Sequence, residues 1–178
     1  MLPATIDTLL CATLAVALVV DLKTRRIPNA VTLPAMLLGL LLAAASSWKE
    51  AALRAGLIAL VMVGGYLLFA VGIIGAGDVK LAAAVAALKG WDFLLATLIG
   101  TAIVGFFVAA FALAKRKELF PLLRRVGGAV RNVAFLGVAP GPVLCAEKQT
   151  IPYAVVLAGG AFLALVGEYR HITPLQLF

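Results

Sequence analysis

Two aspartates stand out against an apolar background. Asp78 sits in Gly75-Ala76-Gly77-Asp78-Val79-Lys80, and Asp21 opens Asp21-Leu-Lys-Thr-Arg-Arg-Ile-Pro-Asn29. A carboxylate in or beside lipid is costly, so each is a functional candidate by default. Two carboxyls held close together can share one proton. Mutual repulsion then makes one a base and the other an acid at a single pH, and the titration belongs to the pair. That is the equipment for activating a water and protonating a leaving group. Gly75 and Gly77 lack Cβ atoms, so other backbone can pass close to Asp78. A helix unwound beside them would find partners for its freed backbone groups.

Each residue also has a plainer reading. Asp78 alone would serve as an N-cap for the helix that follows. Asp21 alone would balance Lys23, Arg25 and Arg26 at the end of a span. Lys80 alone is a snorkelling anchor, and Pro28-Asn29 alone is a helix start. Only the two Asp at a matched depth single out the catalytic reading.

Composition sets the frame for that depth. Of 178 residues, 64% are hydrophobic and 13% charged, against about 25% charged in soluble domains. Apolar runs approach the roughly 20 residues a span needs. The chain reads as one all-α, polytopic integral membrane domain over residues 1–178, with about six transmembrane helices. Ten-residue alternating strands, the mark of a barrel, are absent. The net charge of +7 would suggest nucleic acid in a soluble protein; here the basic residues sit in loops and set topology. No nucleic-acid partner is expected. Cys11, Cys145 and His171 are isolated, so no metal site, cofactor or disulfide is expected.

The spans are expected at about 4–20, 30–46, 51–74, 78–90, 92–114 and 151–167. Residues 1–20 carry no Lys or Arg, so the first apolar run reads as a span and not as a signal peptide. Residues 21–29 form a first basic loop, and Pro28 helps to open the next helix. Asp7 reads as interfacial and without a role. Trp48, Lys49 and Glu50 form an outer turn, and Gly64-Gly65 would admit a neighbouring helix. The run Leu81–Leu88 is short for a span. Lys115, Arg116, Lys117, Arg124, Arg125, Arg131 and Lys148 place the loop at about 115–150 in the cytoplasm with Lys23, Arg25 and Arg26. An even number of crossings between the two loops then requires 78–90 to cross. Phe120, Leu123, Val126, Val130 and Val133 recur at helical spacing and predict an amphipathic helix on the inner leaflet. Gly137, Pro140, Gly141 and Pro142 mark an irregular stretch. Both Asp fall at the cytoplasmic end of spans, 57 residues apart in sequence.

Together the two stretches resemble the type IV prepilin peptidase family. That family has a first Asp followed by an Ile-Pro-Asn-like turn, here Ile27-Pro28-Asn29, and a second Asp in Gly-x-Gly-Asp-x-Lys. Ile151-Pro152-Tyr153-Ala154 is similar to a further family feature. The resemblance implies a metal-independent aspartic endopeptidase in the bacterial inner membrane. It would cut the basic leader from prepilins and pseudopilins at the cytoplasmic face, with Asp21 and Asp78 catalytic. Gly75, Gly77, Lys80, Pro28 and Asn29 would support the site or bind substrate. Membrane lipids are the other expected partner; sequence does not give the oligomeric state. Larger members also methylate the new N-terminus and carry an insert with paired C-x-x-C motifs. This chain has neither insert nor such cysteines, so methyl transfer is not expected. The compact form is similar to peptidases of tight-adherence (Flp) pilus systems. Presenilin-like proteases share Gly-x-Gly-Asp, but their other Asp follows Tyr, and Asp21 follows Val20.

Two other classes compete. A small transporter subunit would need polar residues deep in several spans, and the spans offer little beyond Thr97 and Thr101. A non-catalytic assembly subunit of a pilus or secretion system would tolerate Asp→Asn at both positions. Leaders and cytoplasmic loops are both basic, so attraction between them does not explain binding. Neutralising Arg124 and Arg125 is expected to leave leader cleavage largely intact. A loss beyond about tenfold, equivalent to ~1.4 kcal/mol, in normally inserted protein would overturn this.

Overall fold

The structure is a computed structural model that describes residues 2–25, 27–72, 74–115 and 153–169. The expected amphipathic helix, the irregular stretch after it, Ile151-Pro152, Cys145 and His171 lie outside the described residues. Six helices and no strands occur among the described residues: α1 (Leu2–Thr24), α2 (Asn29–Ser46), α3 (Trp48–Ala70), α4 (Ala76–Lys89), α5 (Trp91–Lys115) and α6 (Tyr153–Tyr169). By length and composition α1, α2, α3 and α5 can each cross a membrane, and α6 is a shorter apolar helix. The protein is an all-α integral membrane protein. Two compact units are present, Met1–Ile103 with Pro152–Phe178, and Val104–Ile151. The described part of the second is the end of α5, where Phe106 and Phe107 meet edge to face and Lys115 lies over the Phe111 ring.

The first unit is built around α4. From Leu81 to Leu88 every side chain of this helix is buried, and α1, α2, α3 and α6 all touch it. Fourteen residues rise only about 21 Å, less than the ~30 Å hydrocarbon core. The short run is tolerated because α4 faces protein instead of lipid. Its alanines let the neighbours come close. A Cβ on Gly39 of α2 would lie 2.7 Å from the Ala87 backbone, and one on Gly65 of α3 would overlap the Val79 side chain. Gly65 therefore fulfils the expectation for Gly64-Gly65, whereas Gly64 faces open space. Gly100 of α5 and Gly160 of α6 make a second close crossing, where a Cβ on Gly160 would run into Thr97 and Thr101.

Local chemistry sets the boundaries. Ser47 ends α2 by donating its N–H to Ala43 O (2.9 Å) and opens α3 by accepting from the Lys49 N–H (3.3 Å). Gly90 closes α4 at φ +87°, a region that favours glycine, and α5 begins at the next residue. α1 extends beyond the expected span and carries Asp21 in its last turns, so the link to α2 is shorter than the expected 21–29 loop. Nothing in Leu22-Lys23-Thr24 breaks a helix. The chain turns only at Arg25, with φ +51° and its N–H on Asp21 O at 2.8 Å.

Gly39→Ala should force α2 and α4 apart against backbone and cost about 1–3 kcal/mol. Gly64→Ala, with no atom within 4 Å of the added carbon, should be neutral or mildly stabilising. Thermal unfolding in detergent compares the two.

Candidate active site

Four helix ends converge around the two aspartates. Asp21, near the end of α1, is buried at 6% exposure. Its Oδ2 accepts the backbone N–H of Ala154 at 3.2 Å, one residue into α6. The first N–H groups of a helix have no partner within it and carry its positive dipole end. A carboxylate is therefore a good acceptor there, and it ties α1 to α6.

Asp78 occupies the first turn of α4, where it is half-buried. Gly75 is the N-cap, with φ −76° and ψ 145°, and Asp78 Oδ2 accepts the Gly75 N–H at 3.2 Å. The plain N-cap reading of Asp78 is displaced by three residues, because the carboxylate reaches back to the cap from inside the helix. The link that follows Asp21 reaches Gly77 and Lys80 on either side of Asp78, so the two carboxyls lie at the same cluster of helix ends although 57 residues apart in sequence.

The remaining motif residues surround this pair. Pro28 is the N-cap of α2, extended at φ −74° and ψ 143°, and its carbonyl accepts the Val31 N–H at 3.1 Å. Asn29 begins α2, and its Oδ1 accepts from Lys80 Nζ at 2.8 Å. Lys80 is thus joined to a neighbouring helix instead of simply snorkelling. Ile27 lies against Gly77: a Cβ there would sit 3.1 Å from the Ile27 Cβ. A Cβ on Gly75 would lie 2.8 Å from Asp78 Oδ2. Both glycines are therefore small because something must lie beside them. No group of three or more His, Cys, Asp or Glu side chains able to hold a metal occurs among the described residues.

A second polar cluster occupies the opposite helix ends, and sequence alone did not pair its members. Lys89, at the end of α4, makes ion pairs with Asp7 of α1 (2.5 Å) and Glu168 of α6 (2.7 Å). Tyr169 Oη donates to Asp7 Oδ2 at 3.2 Å, and Lys89 also lies 5.1 Å from the Phe93 ring centre. Asp7 thus has a structural partner where none was expected. Arg54 of α3 pairs with Glu50 at 3.0 Å and donates to the Ala87 and Leu88 carbonyls at the end of α4. The signal in sequence was a charge inside an apolar run, the same signal that marked Asp21 and Asp78. Thr97 and Thr101, the polar residues a transport path would need, are buried at the α5–α6 crossing. The Thr101 hydroxyl donates to the Thr97 carbonyl at 2.6 Å, which makes them packing residues.

The family model described as the type IV leader peptidase family matches residues 8–110, more than half of the 178. That segment contains Asp21, Asp78 and every motif residue between them. Neither the curated proteins nor the solved structures contain a match.

The Asp21–Ala154 bond separates two roles of Asp21. Asp21→Ala leaves a buried N–H without its acceptor, and a loss of about 1–3 kcal/mol is expected. Asp21→Asn keeps an acceptor oxygen and should lose clearly less. Thermal unfolding of the two variants in the same detergent tests the difference.

Proposed function

The chain belongs to the type IV leader peptidase family, and on that premise we propose that it is an intramembrane aspartic endopeptidase whose catalytic groups are Asp21 and Asp78. It removes the basic leader from prepilins and pseudopilins of the Flp type, at the cytoplasmic face of the bacterial inner membrane. The observation that carries this reading is that a buried and a half-buried carboxyl lie at the same cluster of helix ends, each held by one backbone N–H.

In this mechanism one carboxylate takes a proton from a water, and the water oxygen attacks the scissile carbonyl carbon. The other carboxyl donates its proton to the carbonyl oxygen. The tetrahedral gem-diol collapses as the C–N bond breaks: the proton held by the first carboxyl passes to the departing nitrogen, and a hydroxyl proton of the intermediate returns to the second carboxylate as the new carbonyl forms. Each carboxyl changes role once, which requires the two to share a proton. In each side chain Oδ2 accepts a backbone N–H, and the proton transfers are assigned to Oδ1. The hydrogen bonds restrain rotation of the carboxyls and keep them oriented.

Asp78 is reached past exposed Gly75 and Ala76. A substrate strand laid there meets the Gly75 backbone with only the Ala76 methyl beside it, and its apolar segment docks between helices. The absence of a cysteine-bearing insert between α1 and α2 supports peptide cleavage without methyl transfer.

The test is leader removal in vesicles from a Flp-type prepilin encoded in the same genome. Asp21→Asn and Asp78→Asn should each lower the rate by at least about 10²-fold, the scale of acid–base catalysis, with insertion unchanged. Normal cleavage by either variant would make that Asp structural and would favour a non-catalytic assembly subunit.

A further inference from the structure

Asp21 and Asp78 belong to helices that make little contact with each other. α1 lies chiefly on α2 and α6, while α4 lies chiefly on α2 and α3. Something other than a broad α1–α4 contact must set the distance between the two carboxyls. We propose that the short link from α1 to α2 is a clasp that fixes this distance, with Asn29 and Lys80 as positioning residues. The proposal rests on the reading of the two Asp as a catalytic pair.

The clasp closes on both sides of Asp78. Ile27 seats against Gly77, one residue before it. Asn29 accepts from Lys80, two residues after it, at 2.8 Å. At its other end the link joins α1 only a few residues beyond Asp21, through the left-handed turn at Arg25. Asp21 is thereby held from two directions, by Ala154 of α6 and by the fastened link. A bond between an ammonium and an amide oxygen is charge-assisted and directional. It holds α2's first residue against α4's first turns, and α2 in turn carries the link. The geometry gives Gly77 and Lys80 tasks that do not involve substrate. Gly77 leaves room for Ile27, and Lys80 reaches Asn29.

Two measurements test this, one of which needs no substrate. In a background with Cys11→Ala and Cys145→Ala, Asp21→Cys and Asp78→Cys are joined by a short bis-maleimide in vesicles. Adding Asn29→Leu or Lys80→Met should lower the cross-linking yield several-fold, with helical content and unfolding temperature unchanged. An unchanged yield would overturn the clasp. In the otherwise native chain, kcat and KM are read with a peptide joining a Lys/Arg leader to an apolar helix. A misplacement near 1 Å costs roughly 10²-fold, so Asn29→Leu and Lys80→Met should each reduce kcat by about ten- to a hundredfold with little change in KM. The double variant should be no worse than the poorer single one, and Asn29→Asp and Lys80→Arg should recover most of the loss. A raised KM for Lys80→Met together with native kinetics for Asn29→Leu would make Lys80 a substrate contact and overturn the proposal. If native protein fails to cut the peptide, or either Asp→Asn variant cuts normally, the peptidase reading fails. The cross-link then decides the clasp alone.

Discussion

A short helix with protein on every side is the constraint from which the rest follows. α4 cannot span hydrocarbon by its own length, and its sides make no provision for lipid. It is stable only while four other helices surround it, and both of its ends still present backbone groups without partners. Several of the charged groups in the described part serve those ends. At the far end, Arg54 meets the last carbonyls and Lys89 gathers Asp7 and Glu168. At the near end, Asp78 meets the N-cap and Lys80 meets Asn29. The apolar middle supplies close packing, and the charged ends add partners at each terminus.

Viewed this way, the two aspartates are not placed in the membrane against the demands of the fold. Each satisfies a helix N-terminus: Asp21 that of α6, Asp78 that of α4. A helix N-terminus stabilises negative charge, so the fold provides a reason for a carboxyl at each place before any chemistry is considered. With both N-termini in one cluster of helix ends, the two carboxyls fall at the same end of the first unit as a consequence. The family to which the chain belongs cleaves leader peptides, and the proposed pair uses side chains that the architecture already holds in place.

The helices were largely legible in sequence because lipid imposes a simple rule of length and polarity. The difficult segment, Leu81–Leu88, is a helix as expected, but at fourteen residues α4 is not among the helices long enough to cross a membrane alone. Enclosure within a bundle, the reason for that length, leaves no local trace beyond a high alanine content. The candidate residues were legible as types and spacings, and the structure brings Asp21, Asp78, Gly75, Gly77, Lys80, Pro28 and Asn29 to neighbouring helix ends. What sequence could not supply was partnership. Lys80 with Asn29, Asp21 with the backbone of Ala154, and Asp7 with Lys89 join residues far apart in the chain. A backbone N–H in particular has no residue type to betray it. Gly64 and Gly65 illustrate the limit well. Both are equally small, and only the position of Val79 makes one of them necessary.

The crossing of Gly39 with Ala87 carries a consequence for how such a chain can change over time. Where two backbones nearly touch, volume is conserved across the contact and not at either position alone. A larger residue on α4 is admissible only if a neighbour gives up the same space in step, and few neighbours have any to give. An inserted residue would rotate the remainder of α4 by about 100° and present a different face to every partner at once. Drift is therefore confined to the lipid-facing sides of α2, α3 and α5, where Leu, Ile, Val and Phe are interchangeable at little cost. The central helix keeps its alanines for reasons of shape, and the spacing from Asp78 to Lys89 becomes a ruler that joins the two polar ends of the molecule.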